Sequence, residues 1–135
     1  MKPYPVLVML GPAPEAHGGV ATLAAAYRAH GLFQRWPVEY LATQGTAGMA
    51  FKAAARLALL LAQHRRAVLH AHVGAGPGFW RDAALLAPAL AARCPLLLHL
   101  HGSGFERFYD AAGPGQALVR SLLERAACVA VASQR

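Results

Sequence analysis

Five short apolar runs, each followed by a turn and then by a segment of helical period, constrain the fold of this chain most tightly. Pro5–Leu10 is continuously apolar, the pattern of a central parallel strand covered on both faces. Val38–Ala42, Ala67–His72, Leu96–Leu100 and Cys128–Val131 read as further strands. Between them, Val20, Leu23, Ala24 and Tyr27 recur at helical spacing up to Gly31, and Phe51–Arg66 is a long segment rich in Ala and Leu. Phe79, Ala83, Leu86 and Leu90 mark one face of a helix that Pro88 is expected to kink. Phe105–Tyr109 reads as a short helix or turn, and Gln116–Arg125 as a helix. This alternation predicts an α/β fold: a Rossmann-like, doubly wound parallel sheet with right-handed crossovers, in a single domain. Only Ala132–Arg135 follow the last strand, where such domains place a covering helix. The chain is therefore expected to stop partway through its architecture.

A length of 135 residues fits one domain, and 56% hydrophobic against 14% charged residues excludes a disordered chain. No apolar run approaches the roughly 18 residues of a membrane span. The N-terminus lacks the long apolar core of a signal peptide. Both points predict a cytoplasmic protein. The net charge of +7 comes mostly from arginines that are scattered rather than clustered. Such a surface suits phosphate-bearing ligands or an anionic membrane, and is equally what a solvated face looks like; no nucleic-acid partner is expected. Cys94 and Cys128 are far apart without metal-like spacing and are expected to be small buried thiols. The helix ending at Arg66 carries Lys52, Arg56, Arg65 and Arg66 beside a wide apolar stripe. That is the pattern of a helix at a membrane surface, or of one packed on a sheet with snorkelling basic side chains.

Three strand ends carry the polar chemistry, and in open α/β sheets ligands sit at the carboxyl ends of strands. The first is Gly18-Gly19, where glycines let a ligand approach the free N–H groups and positive end of a helix. A tight turn into the helix is the plainer explanation, and the Gly-x-Gly-x-x-Gly fingerprint is absent. The second is His70-Ala71-His72, whose two imidazoles share one strand face. The third is His99-Leu100-His101-Gly102-Ser103, followed by Phe105-Glu106-Arg107-Phe108-Tyr109. The deeper His70 and His99 read as core histidines. His72, His101, Gly102, Ser103, Arg107 and Tyr109 are the candidates for ligand contact. Two His-x-His pairs invite a zinc reading. In the commonest doubly wound order, however, the third and fourth strands lie on opposite sides of the first, too far apart to share an ion. No metal is therefore expected. A nucleophile elbow and a Walker-type phosphate loop are absent as well.

Taken in order, these sites resemble the N-terminal half of the family-four-type retaining glycosyltransferases, which have two Rossmann-like domains (the GT-B fold). The resemblance spans nearly the whole chain: a first strand leading to Gly18-Gly19-Val20, the His70-Ala71-His72 pair, His101-Gly102-Ser103 with its aromatic helix, and Val131-Ala132-Ser133. It implies a domain that binds mainly a glycan, lipid-linked or small-molecule acceptor. Gly18 and Gly19 would lie against the diphosphate of a nucleotide-sugar donor, and His101 would act beside the transferred sugar as the catalytic residue. The nucleotide-sugar is a co-substrate, so no cofactor is implied. The partner implied is a C-terminal, donor-binding glycosyltransferase domain, here absent, without which the chain is expected to be inactive. Peripheral contact with the inner membrane face is a further expectation of the resemblance. Family members often carry an acidic residue where this chain has Gly104. A stand-alone module that pairs with a separate C-terminal half, and another nucleotide- or phosphate-binding α/β protein, are the alternatives.

Overall fold

A computed structural model describes residues 5–131, apart from Pro14 and His17. Met1–Tyr4 and the Ala132-Ser133 stretch of the resemblance lie outside the described residues. Strands β1 (Leu7–Pro12), β2 (Val38–Gln44), β3 (Val68–Gly74), β4 (Leu96–His101) and β5 (Cys128–Val131) form one sheet in the order β2-β1-β3-β4-β5. All four pairings are parallel. Helices α1 (Gly19–Ala29), α2 (Leu32–Arg35), α3 (Ala47–Gln63), α4 (Pro77–Ala91), α5 (Phe105–Ala111) and α6 (Gln116–Arg125) make the connections. The chain is an α/β, doubly wound, Rossmann-like domain.

Strand alternation divides the sheet into two chemically different faces. Val8 and Leu10 of β1, Leu69, Ala71 and Val73 of β3, and Leu96 and Leu98 of β4 pack with Leu57 and Leu60 of α3. Phe79 and Leu86 of α4 and Val119 and Leu122 of α6 complete this core. Each fully buried Val, Leu or Phe here contributes about 1.5–3 kcal/mol on burial. The opposite face carries Met9, Gly11, His70, His72, His99 and His101. There α1 turns the Tyr27 ring to within 6.1 Å of His70 and 6.3 Å of His72, between centroids.

Local chemistry explains where the elements differ from the sequence expectation. The helix expected from Phe51 begins at Ala47, because Thr46 caps it: the Thr46 hydroxyl accepts the Met49 N–H at 3.3 Å. Gly31, in the left-handed region at φ 86, ends α1 and opens the short α2. Helix α4 continues through Pro88. The thiols depart from expectation too. Cys94 is half-buried and donates to the Ala67 carbonyl at 3.2 Å, whereas Cys128 is exposed because β5 is an edge strand.

The strand order overturns one spatial expectation. The third and fourth strands were expected on opposite sides of the first; instead β3 lies between β1 and β4. With β2 occupying one edge of β1, the next crossover sets β3 on the other edge, and β4 and β5 extend outward from there. The two His-x-His pairs are therefore neighbours, with His72 in register with His99 and Gly74 with His101.

Candidate functional site

In this strand order the direction of winding reverses between β1 and β3, and the crevice outside their carboxyl ends is where open α/β sheets hold ligands. Gly11 and Pro12 form one wall, His72–Gly74 the other. The approach is close: a Cβ on Gly11 would stand 2.5 Å from the Tyr40 hydroxyl and 3.5 Å from His72 Cδ2. That hydroxyl donates to the Pro12 carbonyl at 2.6 Å, pinning the end of β1. Burial pushes the Tyr40 phenol above its ordinary range, against the opposing pull of Arg28. A cavity of about 90 Å³ opens behind it, lined by Pro12, Ala21, Ala24, Arg28, Phe33 and Tyr40.

Helix α1 starts at this crevice. Gly18 sits at φ 126, a conformation side chains resist, and no side chain caps the helix. A Cβ on Gly18 or Gly19 would meet nothing within 4 Å. The first N–H groups of α1 thus have no side-chain cap, and the start of such a helix favours an anion. Gly76 and Gly104 likewise open α4 and α5 at positive φ without a side-chain cap.

The histidines converge on the other side of the crevice. His72 Nδ1 and His101 Nε2 are hydrogen-bonded at 2.8 Å. The His72 ring lies 4.5 Å from His70, 5.2 Å from His99 and 5.0 Å from His101, between centroids. His99 and His101 are 4.1 Å apart. Burial, reinforced by mutual repulsion with His99 and His101, pushes His70 down to about 4. Burial and the three neighbouring histidines push His72 down to about 3. Burial also lowers His99, and burial together with His99 lowers His101. The cluster is therefore neutral near pH 7, with nitrogen lone pairs available as acceptors or ligands. The Nε2 atoms of His70 and His72 are buried without a hydrogen-bond partner among the described residues.

Gly102 and Ser103 are exposed immediately after His101. Ser103 and Arg107 help line an open depression of about 420 Å³. Trp80 and Phe108 wall a neighbouring one of about 400 Å³, together with Gly76 and Pro77. The Tyr109 hydroxyl accepts from Arg120 Nη2 of α6 at 2.9 Å. Among the candidates, Gly18, Gly19, His72, His101, Gly102, Ser103 and Arg107 stand at the rim, while Tyr109 braces α5 against α6. The sequence reading left out His70 and His99, which the fold adds to His72 and His101. Their identical spacing on two strands was a signal, but only the strand order makes the pairs meet.

Comparison with protein-family models, with curated proteins and with solved structures finds no match to this chain.

Proposed function

We propose that this domain is the acceptor-side, N-terminal half of a retaining glycosyltransferase that uses a nucleotide-sugar donor. The observation carrying the reading is the pairing of two features at one rim. The uncapped α1 start at Gly18-Gly19 stands beside β1, and His101 is held by His72 at the end of β4. Backbone N–H groups at a helix start stabilise negative charge as it develops on a leaving diphosphate. A neutral imidazole fixed by a partner presents its remaining ring nitrogen to a sugar hydroxyl. Holding both groups in one geometry favours attack by an acceptor hydroxyl on the same face of the sugar. The depressions beside Ser103 and Trp80 are suited in size to an acceptor glycan.

A lipid-linked acceptor and peripheral membrane contact belong to the same reading. Phe51 of α3 is 78% exposed, in the second turn of a helix that starts at this rim, and Lys52 follows it.

The test is an NMR titration of the ¹⁵N-labelled chain with nucleotide-sugars. In this reading most donor affinity belongs to a second domain, so weak, millimolar binding is expected. Shift changes should concentrate at Gly18–Val20 and His101–Ser103. Micromolar binding would favour a self-sufficient nucleotide-binding protein. No shifts at this rim with saturating donors would end the glycosyltransferase reading.

A further inference from the structure

We propose that His70, His72 and His99 together bind one divalent transition-metal ion, with zinc the best chemical fit. Their candidate ligand nitrogens all lie within 4.8 Å of one another. Zn–N bonds of about 2.0–2.1 Å place tetrahedral ligands roughly 3.4 Å apart, so small side-chain rotations close the set. The register of β3 with β4 already sets His72 beside His99.

Two further observations point to an occupant. The Nε2 atoms of His70 and His72 are buried with no partner among the described residues, and an unmet buried ring nitrogen is costly. A cation shared between them resolves both at once. The other ring nitrogen of His72, Nδ1, is bonded to His101 Nε2 at 2.8 Å. Metal-bound histidines characteristically use their second nitrogen in this way, which fixes tautomer and ring orientation.

The donor set selects the ion. It contains imidazoles without thiolate or carboxylate, which suits zinc, copper or nickel rather than magnesium or calcium. Burial already holds these groups in the neutral form that coordinates. Tyr27 roofs the inner side, while His99 and His101 are half-buried and leave a way in. Three ligands leave a fourth position for water or a ligand group.

The ion would also act on His101. Coordination through Nε2 leaves the proton of His72 on Nδ1, so His72 donates to His101 Nε2. His101 is then protonated on Nδ1 and presents a donor. The metal assignment stands on the histidines alone, without the glycosyltransferase reading.

The experiment uses untagged, chelator-treated chain, titrated with Zn²⁺ by calorimetry and with Co²⁺ by visible absorption. The expected result is one equivalent bound per chain, with the strong d–d bands of tetrahedral cobalt. His99→Gln, at a half-buried position, should weaken Zn²⁺ binding at least about tenfold, and His101→Ala by about 10–100-fold through loss of the outer partner. Changing the exposed His30 and His64 to Ala should leave it unaltered. The proposal fails if the wild-type chain takes up no stoichiometric Zn²⁺, a result independent of whether any variant folds. It fails equally if His99→Gln folds and binds as tightly as wild type, which would place the ion elsewhere.

Discussion

His72 and His101 meet at 2.8 Å although they are not register partners: His101 lies opposite Gly74, two residues beyond His72 on β3. Gly74 has no side chain to fill the space across from His101, so the His101 ring leans back along the sheet to His72. This bond connects the sequence-predicted site residue to the buried cluster. Replacing His101 with Ala should cost about 1–3 kcal/mol, because it leaves the buried His72 Nδ1 without its partner. The fold should survive, with a Tm drop of a few degrees in thermal melts. In an enzyme completed by a donor domain, the same change should abolish transfer. Transfer near the wild-type rate would remove the role given to His101.

Acid should destabilise the metal-free chain in a defined window. His70 and His72 titrate near 4 and 3 in the folded state, below their ordinary 6.5. The unfolded chain therefore binds more protons between those values, and stability falls as pH falls. Stability should be full above pH 6.5 and decline progressively as pH drops through about 4 towards about 3. Thermal melts across this range, with chelator present, measure the slope. His70→Leu, which has no proton to gain, should flatten it.

The two glycines that open α1 should respond differently to substitution. Gly19 lacks the positive φ of Gly18, and a Cβ there meets nothing within 4 Å. Gly19→Val should fold with a Tm equal to or above wild type, since Val is the better helix former. It should still lose the donor-induced shifts at Gly18–Val20, because the side chain fills the anion approach. Gly18→Val should lower the Tm, because a β-branched residue is strained at φ 126. Retention of donor shifts in Gly19→Val would remove the diphosphate assignment.

Gly11 and Tyr40 should be energetically coupled. A Cβ at position 11 would stand 2.5 Å from the Tyr40 hydroxyl but 3.3 Å from Cζ, so the hydroxyl is the main obstacle. Gly11→Ala should destabilise the wild type by about 1–3 kcal/mol through overpacking. It should cost clearly less in a Tyr40→Phe background. A double-mutant cycle from denaturant melts reads this coupling, and strict additivity would show that the hydroxyl is not the obstacle.

Helix α3 turns apolar side chains outward as well as inward, with Phe51 78% and Leu59 46% exposed. Lys52 on the helix, and Arg65 and Arg66 in the turn beyond its end at Gln63, are exposed as well. The chain should cosediment with vesicles containing anionic lipid and not with purely zwitterionic ones. Phe51→Asp and Leu59→Asp should each weaken that binding without lowering the Tm. Absence of cosedimentation at low salt would remove the membrane contact.

The sequence by itself determined the number and order of strands and the α/β class, because periodicity is a local property that each segment carries alone. It also determined that His72 and His101-Gly102-Ser103 belong to strand ends and that Gly18-Gly19 opens a helix, since apolar runs stop or helical spacing begins there. Tertiary structure alone decided which strands are neighbours. No residue in Val68–Gly74 or Leu96–His101 records that β3 and β4 share an edge, because that pairing follows from the side of β1 taken by β2. Hence two His-x-His pairs that read separately as core and rim become one neutral cluster, and Tyr109 meets Arg120 from a helix further along the chain. Side-chain chemistry is written residue by residue, whereas the distances that give it meaning are set by chain crossings that no short segment encodes.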